Sequence, residues 1–329
     1  MFQPPCRFSS GPKPGAISNG PLRAVDSSHT LAAHSWILRL DERFGWNLTA
    51  SRGAEEWLTR FAHVMGLQPG LQPGLRTLRF LRGAPPSHVT GESLRPDDSG
   101  MMASVHEEWG LLKDLALIKI WSHPEGSDLA VELLNTHLEN IEITMMWQSL
   151  HTVYETVISE GGLPLHAALI EHGGRGVLLA GAGGAGKTTC CRRLPASWRA
   201  LSDDETVIVP MPGGKWHAHP FPTWSGCIKG TDLRTWNIGS GIPISAVFFI
   251  RKADRDDAGL LSNGSAAVRI YESSRQITLS RVNALPPVER REWRKTLFEN
   301  SCRSASGVPA FDLGVSLNGP FWRIIEEVT

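Results

Sequence analysis

The first half of the chain alternates between strand-like and helix-like patterns of apolar positions. In WILRLDERFGWNLTA (36–50) the alternation of apolar and polar residues predicts two β-strands joined by a turn. In AEEWLTRFAHVMGL (54–67) the apolar positions recur at helical spacing and predict an amphipathic helix. Strand patterns return in LALIKIW (115–121) and LAVELL (129–134). Together these elements predict a small α+β unit.

The second half has the order of elements expected of an α/β domain. The segment 143–162 predicts a helix that Gly161 and Gly162 end. After it we predict a strand, a Gly-Gly turn, a strand, a glycine-rich loop, a helix and a strand. A helix over 286–301, an alternating strand near 308–317 and a short helix in FWRIIEEV close the chain.

These patterns divide the chain into three regions. Residues 1–30 are polar and rich in Pro, Gly and Ser, which predicts a disordered tail. We predict an α+β N-terminal domain over 31–145, with peptide recognition as its expected role, and an α/β domain over 146–329. The repeat LQPGLQPG (67–74) and the segment 82–100 are predicted loops.

Charge and hydropathy exclude several classes of function. Lys and Arg number 33, Asp and Glu number 33, and the isoelectric point is about 7.2, so we expect no nucleic-acid partner. The longest apolar runs, such as ISAVFFI (244–250), are far shorter than the ~18 residues of a membrane-spanning helix. The first 30 residues lack the apolar segment of a signal peptide. We therefore expect a cytoplasmic protein without a membrane partner.

The five cysteines form an odd number without framework spacing, which indicates free thiols. Cys190 and Cys191 lie where a helix is predicted to begin, so a lowered thiol pKa is one hypothesis. We prefer the alternative that both are small core residues. A metal site formed by His217, His219 and Cys227 is a second hypothesis, which we disfavour because no further ligand pair accompanies them.

The strongest motif is GAGGAGKT at residues 181–188, which fits G-x-x-x-x-G-K-[ST] between a predicted strand and a predicted helix. Such a loop holds phosphates with its backbone amides, while Lys187 reaches the β- and γ-phosphates and Thr188 ligates Mg²⁺. An ordinary glycine-rich turn is the alternative. The residues expected to bind a nucleoside triphosphate, ATP with Mg²⁺, are Gly181, Ala182, Gly183, Gly184, Ala185, Gly186, Lys187, Thr188 and Thr189.

Two further groups of residues flank this loop in the sequence. Before it, His166 begins an apolar strand, and a Gly-Gly turn joins that strand to the next one. After it comes SDDE, in which Asp203 and Asp204 are candidates for Mg²⁺ binding and for accepting a proton from an attacking hydroxyl. SDDE also fits a helix capping box. The β-branched TVIVP that follows favours a strand instead.

With a histidine-bearing hairpin before the glycine loop and an Asp-Asp pair after it, the sequence resembles the HPr serine kinase/phosphorylase-like P-loop fold group. More closely, LPLHAALI, LLAGAGGAGKTTCCRRLP, LSDDE and AHPFPTWS resemble SynChlorMet cassette proteins of the ScmC type. The second resemblance covers most of the chain from about residue 35. These likenesses imply an α/β fold in which a P-loop kinase domain, with a mixed sheet and helices, follows a small α+β domain.

The resemblance also implies residue roles and partners. It gives catalytic roles to His166, Lys187, Asp203 and Asp204, with Asp203 and Thr188 binding the metal. It implies a small precursor peptide or protein as acceptor and radical-SAM maturases as partners. WSGCIKGTDLRTW (224–236) departs from the EIRGLGI-type segment of the bifunctional enzymes, which argues against phosphorylase activity and against HPr as the acceptor.

Two functions follow as hypotheses. The first is an ATP- and Mg²⁺-dependent phosphotransferase that acts on a Ser or Thr hydroxyl of a small peptide or protein. The alternative is a nucleotide-dependent carrier or switch that holds a peptide for partner maturases and transfers nothing. FFIRKAD lacks the asparagine of a guanine-reading motif, so guanine specificity is not expected. The residues do not indicate an oligomeric state.

Overall fold

The computed structural model describes residues 34–83, 109–123, 126, 128–230, 234–283 and 285–329. The predicted tail at 1–30 and most of the predicted loop at 82–100 lie outside these residues. The described chain is a mixed α/β structure with two sheets, so the predicted α/β class is confirmed. None of its described helices combines the length and hydropathy needed to cross a bilayer.

The first sheet has seven strands in the order β3-β1-β2-β4-β7-β6-β5. One helix, α1, follows β2. The bounds are β1 Ser35–Arg39, β2 Gly45–Ser51, α1 Glu55–Met65, β3 Gln68–Pro69, β4 Arg76–Arg82, β5 Gly110–Leu115, β6 Ile118–Ser122 and β7 Leu129–Leu133.

The predicted pair of strands and the helix near the start of this region are confirmed. β1 pairs antiparallel with β2, and α1 buries its apolar face, including Trp57 and Phe61. The run 115–121 is not one strand as predicted, because β5 ends at Leu115 and β6 begins at Ile118. Those two residues pair across the hairpin, so a two-residue turn interrupts the apolar run.

Helix α2 (Glu139–Ser159) joins the two sheets. It begins four residues before the predicted start at 143 and ends just before Gly161, whose φ of 96° favours glycine. Its residues share one buried core with the first sheet and with part of the second. The predicted boundary between 145 and 146 falls inside this helix, so the division into two domains stays a prediction.

The C-terminal end of α2 is held by a side chain from a distant helix. Asn300, which is fully buried, donates from Nδ2 to the carbonyl oxygens of Ile158 (2.8 Å) and Gly162 (3.1 Å). The Ile158 carbonyl also accepts from the backbone N–H of Gly161, so the amide of Asn300 adds a donor from another helix at this end of α2. The contact ties α2 to α6 (Pro287–Gly307).

The second sheet has nine strands, of which seven follow the order β11-β9-β10-β14-β13-β12-β8, while β16 pairs with β14 and β15. Its strands are β8 Leu163–Leu165, β9 Ala167–His172, β10 Arg175–Ala180, β11 Arg199–Ser202, β12 Glu205–Pro210, β13 Trp216–Phe221, β14 Ile242–Lys252, β15 Asp257–Leu260 and β16 Ala310–Val315. The helices are α3 Lys187–Arg193, α4 Trp224–Ile228, α5 Asn263–Asn283, α6 and α7 Phe321–Val328, and one 3₁₀ turn covers Pro212–Gly214.

The strand directions bring three segments to one edge of this sheet. β9 and β10 form the predicted hairpin, whose turn residues Gly173 and Gly174 both have positive φ. β11 is antiparallel to β9, so β11 and β10 run in the same direction. The start of β9 therefore lies beside the ends of β10 and β11. That edge carries His166, the glycine loop and the Asp-Asp pair.

Helices and strands of the C-terminal part agree with most predictions. The helix predicted over 286–301 is α6, the strand near 308–317 is β16, and FWRIIEEV forms α7. Helix α5 was not predicted from the sequence. Many of its buried positions carry small or hydroxyl side chains, such as Ala266, Ser273 and Thr278, so its apolar period is weak.

A charged cluster joins the first sheet to α2. Lys113 on β5 contacts both His151 and Glu155, and His151 Nε2 lies 3.1 Å from Glu155 Oε1. Burial raises the pKa of Glu155, but the His151 hydrogen bond and the charges of His151 and Lys113 outweigh it and lower the pKa to about 2. The carboxylate is therefore ionised and paired at neutral pH.

Candidate functional site

The glycine loop connects β10 to α3 and is largely exposed. Gly184 and Gly186 have φ of 77° and 112°, a backbone region that side-chain-bearing residues rarely adopt. At Gly181 an added Cβ would lie 3.0 Å from the Cβ of Ala185, so a larger residue would require the loop to shift by a few tenths of an ångström. The spacing of glycines in the motif therefore has a local conformational cause.

Lys187 begins α3 and folds back under the loop. Its Nζ donates to the carbonyl oxygens of Gly181 (3.0 Å) and Ala182 (3.4 Å), and the residue is 6% exposed. Burial lowers the pKa of Lys187, while the negative charges of Asp204 and then Asp203 act in the opposite direction. The loop lysine and the acidic pair therefore lie within electrostatic reach of one another.

The neighbouring hydroxyl residues of α3 differ in exposure. Thr188 is half-buried and Thr189 is exposed.

The two cysteines that follow are not activated thiols, since burial raises the pKa of Cys190 to about 11 and that of Cys191 to about 12. The hypothesis of a lowered thiol pKa at this helix start is wrong, because desolvation outweighs the position in the helix.

Asp204 contacts His166 across the sheet edge. His166 Nε2 lies 3.0 Å from Asp204 Oδ1. The pKa of Asp204 is lowered, first by this hydrogen bond and then by the charges of His166 and Lys187, against the opposing effect of burial. The two residues, predicted separately from the sequence, are in direct contact.

Helix α5 supports His166 from the other side. His166 Nδ1 lies 2.6 Å from Oε1 of Gln276, and Ser273 exchanges hydrogen bonds with the backbone of His166. Each ring nitrogen of His166 therefore has a polar partner, Asp204 at Nε2 and Gln276 at Nδ1, which fixes the orientation of the ring. Neither Gln276 nor Ser273 was found from the sequence, since α5 was not predicted.

Asp203 points to a different set of partners. Thr223 donates its hydroxyl to Asp203 Oδ1, and Arg234 NH2 lies 3.3 Å from the same oxygen. The Arg234 guanidinium also lies 4.8 Å from the ring centroid of Trp236. Thr223 lies in the motif AHPFPTWS (218–225) and Arg234 lies in the segment 224–236, but the sequence did not predict that either residue contacts Asp203.

The residues that flank the acidic pair belong to strands. Glu205 is the first residue of β12, and the buried hydroxyl of Tyr154 donates to it. Ser202 Oγ lies 3.0 Å from Thr206 Oγ1, which donates to the carbonyl of Ala167. The capping-box alternative for SDDE is therefore wrong, because β-branched residues continue the chain as a strand. These contacts hold the acidic turn against the start of β9.

The histidine-rich strand does not form the alternative metal site. His219 is fully buried on β13, and its Nδ1 donates to the carbonyl oxygen of Ile238 at 2.8 Å. Burial lowers the pKa of His219 to about 4, so the ring is neutral. Across the described ranges, no three His, Cys, Asp or Glu side chains cluster as a metal ion would require.

Comparisons with known proteins bear on this half of the chain. A protein-family model described as "SynChlorMet cassette protein ScmC" matches residues 129–329. The matched range begins at β7 and contains His166, the glycine loop and both aspartates. No curated protein matches the chain.

Proposed function

Because the chain belongs to the ScmC family of SynChlorMet cassette proteins, we propose that it transfers the γ-phosphate of ATP to a Ser or Thr hydroxyl of a short precursor peptide or protein. The observation that carries this proposal is the meeting of three groups at one sheet edge. The buried Lys187 of the glycine loop interacts electrostatically with Asp204 and Asp203. Asp204 in turn contacts His166.

Nucleotide binding is supported by the loop and by its lysine. Positive φ at two glycines allows successive backbone amides to turn toward one concave surface, which suits phosphate oxygens. Lys187 carries a positive charge that burial disfavours, so a polyphosphate beside it would relieve that cost. Both features favour an anionic ligand over a neutral one.

Magnesium binding is proposed at Thr188 and Asp203. A threonine hydroxyl and a carboxylate are oxygen ligands of the kind Mg²⁺ prefers, so the residues present fit this ion. Thr223 and Arg234 both contact Oδ1 of Asp203, which fixes the orientation of that carboxylate. When bound, Mg²⁺ would supply charge neutralisation for the transferred phosphoryl group.

Asp204 is the proposed proton acceptor for the attacking hydroxyl. Its lowered pKa keeps it ionised at neutral pH, and His166 holds its Oδ1 in one direction. A carboxylate that is ionised at neutral pH can accept the proton of the attacking hydroxyl, which is the role of the catalytic-loop aspartate in protein kinases. His166 and Gln276 would act by positioning this carboxylate.

We assign the domain, within the same proposal, to the HPr serine kinase/phosphorylase-like P-loop fold group. The hairpin with His166, the glycine loop and the Asp-Asp pair support this assignment. Phosphorylase activity is not proposed, since 224–236 lacks the glutamate-led segment. Radical-SAM maturases are the proposed partners of the modified peptide.

The test combines the purified full chain with ATP, Mg²⁺ and the precursor peptide of its own cassette. Mass spectrometry is expected to find a phosphorylated Ser or Thr, and Lys187→Met is expected to abolish the product. Retention of the peptide on the protein with a non-hydrolysable ATP analogue, but no phosphopeptide with ATP, would reject transfer and favour the carrier or switch.

A further inference from the structure

A cleft of about 400 Å³ opens between helices α1, α2 and α4. Its walls come from α1, which follows β2, from the connecting helix α2 and from the short helix α4 after β13. Its apolar wall consists of Val64, Ile143, Met146, Trp224 and Cys227. Its volume lies within the range of sites that take small ligands or single side chains.

The cleft is connected to the acidic pair through two residues. Arg234 lines the cleft and lies 3.3 Å from Asp203 Oδ1. Trp224 lines it as well and directly follows Thr223, which donates to the same carboxylate oxygen. A group bound in the cleft would therefore lie close to the site proposed for transfer.

The charges at the rim are largely balanced. Arg60 pairs with Glu139, and Arg234 pairs with Asp203, while His63 is exposed. A balanced rim over an apolar wall favours an uncharged, apolar group, since an unpaired charge would be desolvated without compensation. The cleft thus suits an aliphatic or aromatic side chain.

The ring of Trp224 is held firmly in the wall of the cleft. The residue is 5% exposed, and its ring stacks on Phe61 with centroids 6.3 Å apart. A packed aromatic ring of this kind offers a large apolar surface to a bound side chain.

We propose that this cleft binds an apolar side chain of the acceptor peptide next to its reacting hydroxyl, with the Trp224 ring as part of the apolar wall. The inference rests on the proposed transfer function and adds to it a residue preference in the substrate. Val64, which is half-buried, sets the width of the cleft on the α1 side. Arg234 connects the cleft to the acidic pair.

The test uses arrayed synthetic peptides with one central Ser and each flanking position varied in turn. Retention of fluorescently labelled full chain is measured with a non-hydrolysable ATP analogue and Mg²⁺, and phosphate incorporation is measured separately with ATP. We expect one flanking position to prefer Leu, Ile, Met, Phe or Trp over Asp, Lys or Gly by about tenfold or more, since burying such a side chain contributes about 1.5–3 kcal/mol.

Val64→Trp fills the cleft and is expected to abolish this preference. Val268→Trp, the same change at an exposed position of α5, is expected to keep it. Ile143→Ala widens the cleft and is expected to shift the preference toward Trp. If Val64→Trp does not fold, Ile143→Ala still tests the cleft. Thermal unfolding of each variant shows whether that variant is folded.

The outcomes separate the two proposals. Selective retention without phosphate incorporation rejects transfer and supports the cleft. Phosphate incorporation without an apolar preference, or a preference that survives in both cleft variants, overturns the cleft and leaves transfer standing. Failure of the wild-type chain to retain any arrayed peptide also counts against the cleft.

Discussion

Replacing Asp204 with Asn tests whether the charge of this side chain, and not its contact with His166, is required for the proposed transfer. The carboxylate Oδ1 lies 3.0 Å from His166 Nε2, and an amide oxygen can accept the same hydrogen bond. The pKa of Asp204 is lowered by that hydrogen bond, so the wild-type side chain is ionised at neutral pH. The variant therefore keeps the shape of the side chain and removes one negative charge and the proposed proton acceptor.

The expected size of the effect differs between transfer and binding. Loss of a positioned proton acceptor lowers kcat by about 10²- to 10⁴-fold, or about 2.7–5.4 kcal/mol of barrier. The Asp204 side chain is 37% exposed, so solvent screens its interaction with the loop lysine. Screened pairs contribute about 1 kcal/mol or less, which limits the change in Kd for ATP to about fivefold.

Two assays measure these quantities on the same protein. Quenched-flow transfer to the precursor peptide gives the rate, and titration with a fluorescent ATP analogue gives the Kd. Asp114→Asn, at an exposed position of β5, is the matched control and is expected to change neither. Transfer by Asp204→Asn at the wild-type rate would refute the role as base. An equal loss of rate and nucleotide affinity would show that the residue acts through binding.

Three further variants test the loop, the charged cluster and the helix end. Lys187→Met is expected to weaken ATP binding by about 10- to 100-fold in calorimetry, because a charge-assisted hydrogen bond contributes about 1.5–3 kcal/mol. Glu155→Gln should lower the free energy of unfolding at pH 7 by at most about 3 kcal/mol. Because the folded pKa of Glu155 is about 2 against 4.5 ordinarily, that difference is lost as pH falls through this range. Asn300→Ala should cost about 1–3 kcal/mol in urea unfolding, because the carbonyls of Ile158 and Gly162 each lose the hydrogen bond from its amide, although the Gly161 N–H still donates to Ile158.

Each of these variants has an exposed counterpart of the same residue type. Lys295→Met, Glu299→Gln and Asn318→Ala are expected to leave binding and stability unchanged. Unaltered ATP affinity in the loop variant would contradict the nucleotide site. If Glu155→Gln remained less stable than the wild type down to pH 2, the pairing of Glu155 with Lys113 and His151 would be contradicted. For the asparagine variant, an unchanged urea midpoint would contradict the anchoring of α2.

Local patterns in the sequence were sufficient for the elements that carry the site. The Gly173-Gly174 turn, the loop at 181–188 and the strand after SDDE were all predicted, since glycine freedom and β-branching act on neighbouring residues only. Helix α5 was missed because part of its buried face is made of alanine and hydroxyl residues, which weaken the apolar period.

Only the tertiary structure decided what surrounds each candidate functional side chain. Asp203 meets Thr223 and Arg234 from 20 and 31 positions away, and His166 meets Gln276 from 110 positions away. The cleft beside Trp224 likewise needs three helices from separate parts of the chain. Motif spacing predicts which residue types occur together, whereas hydrogen-bond partners and cavity walls depend on which strand ends and helices meet at one edge of the sheet.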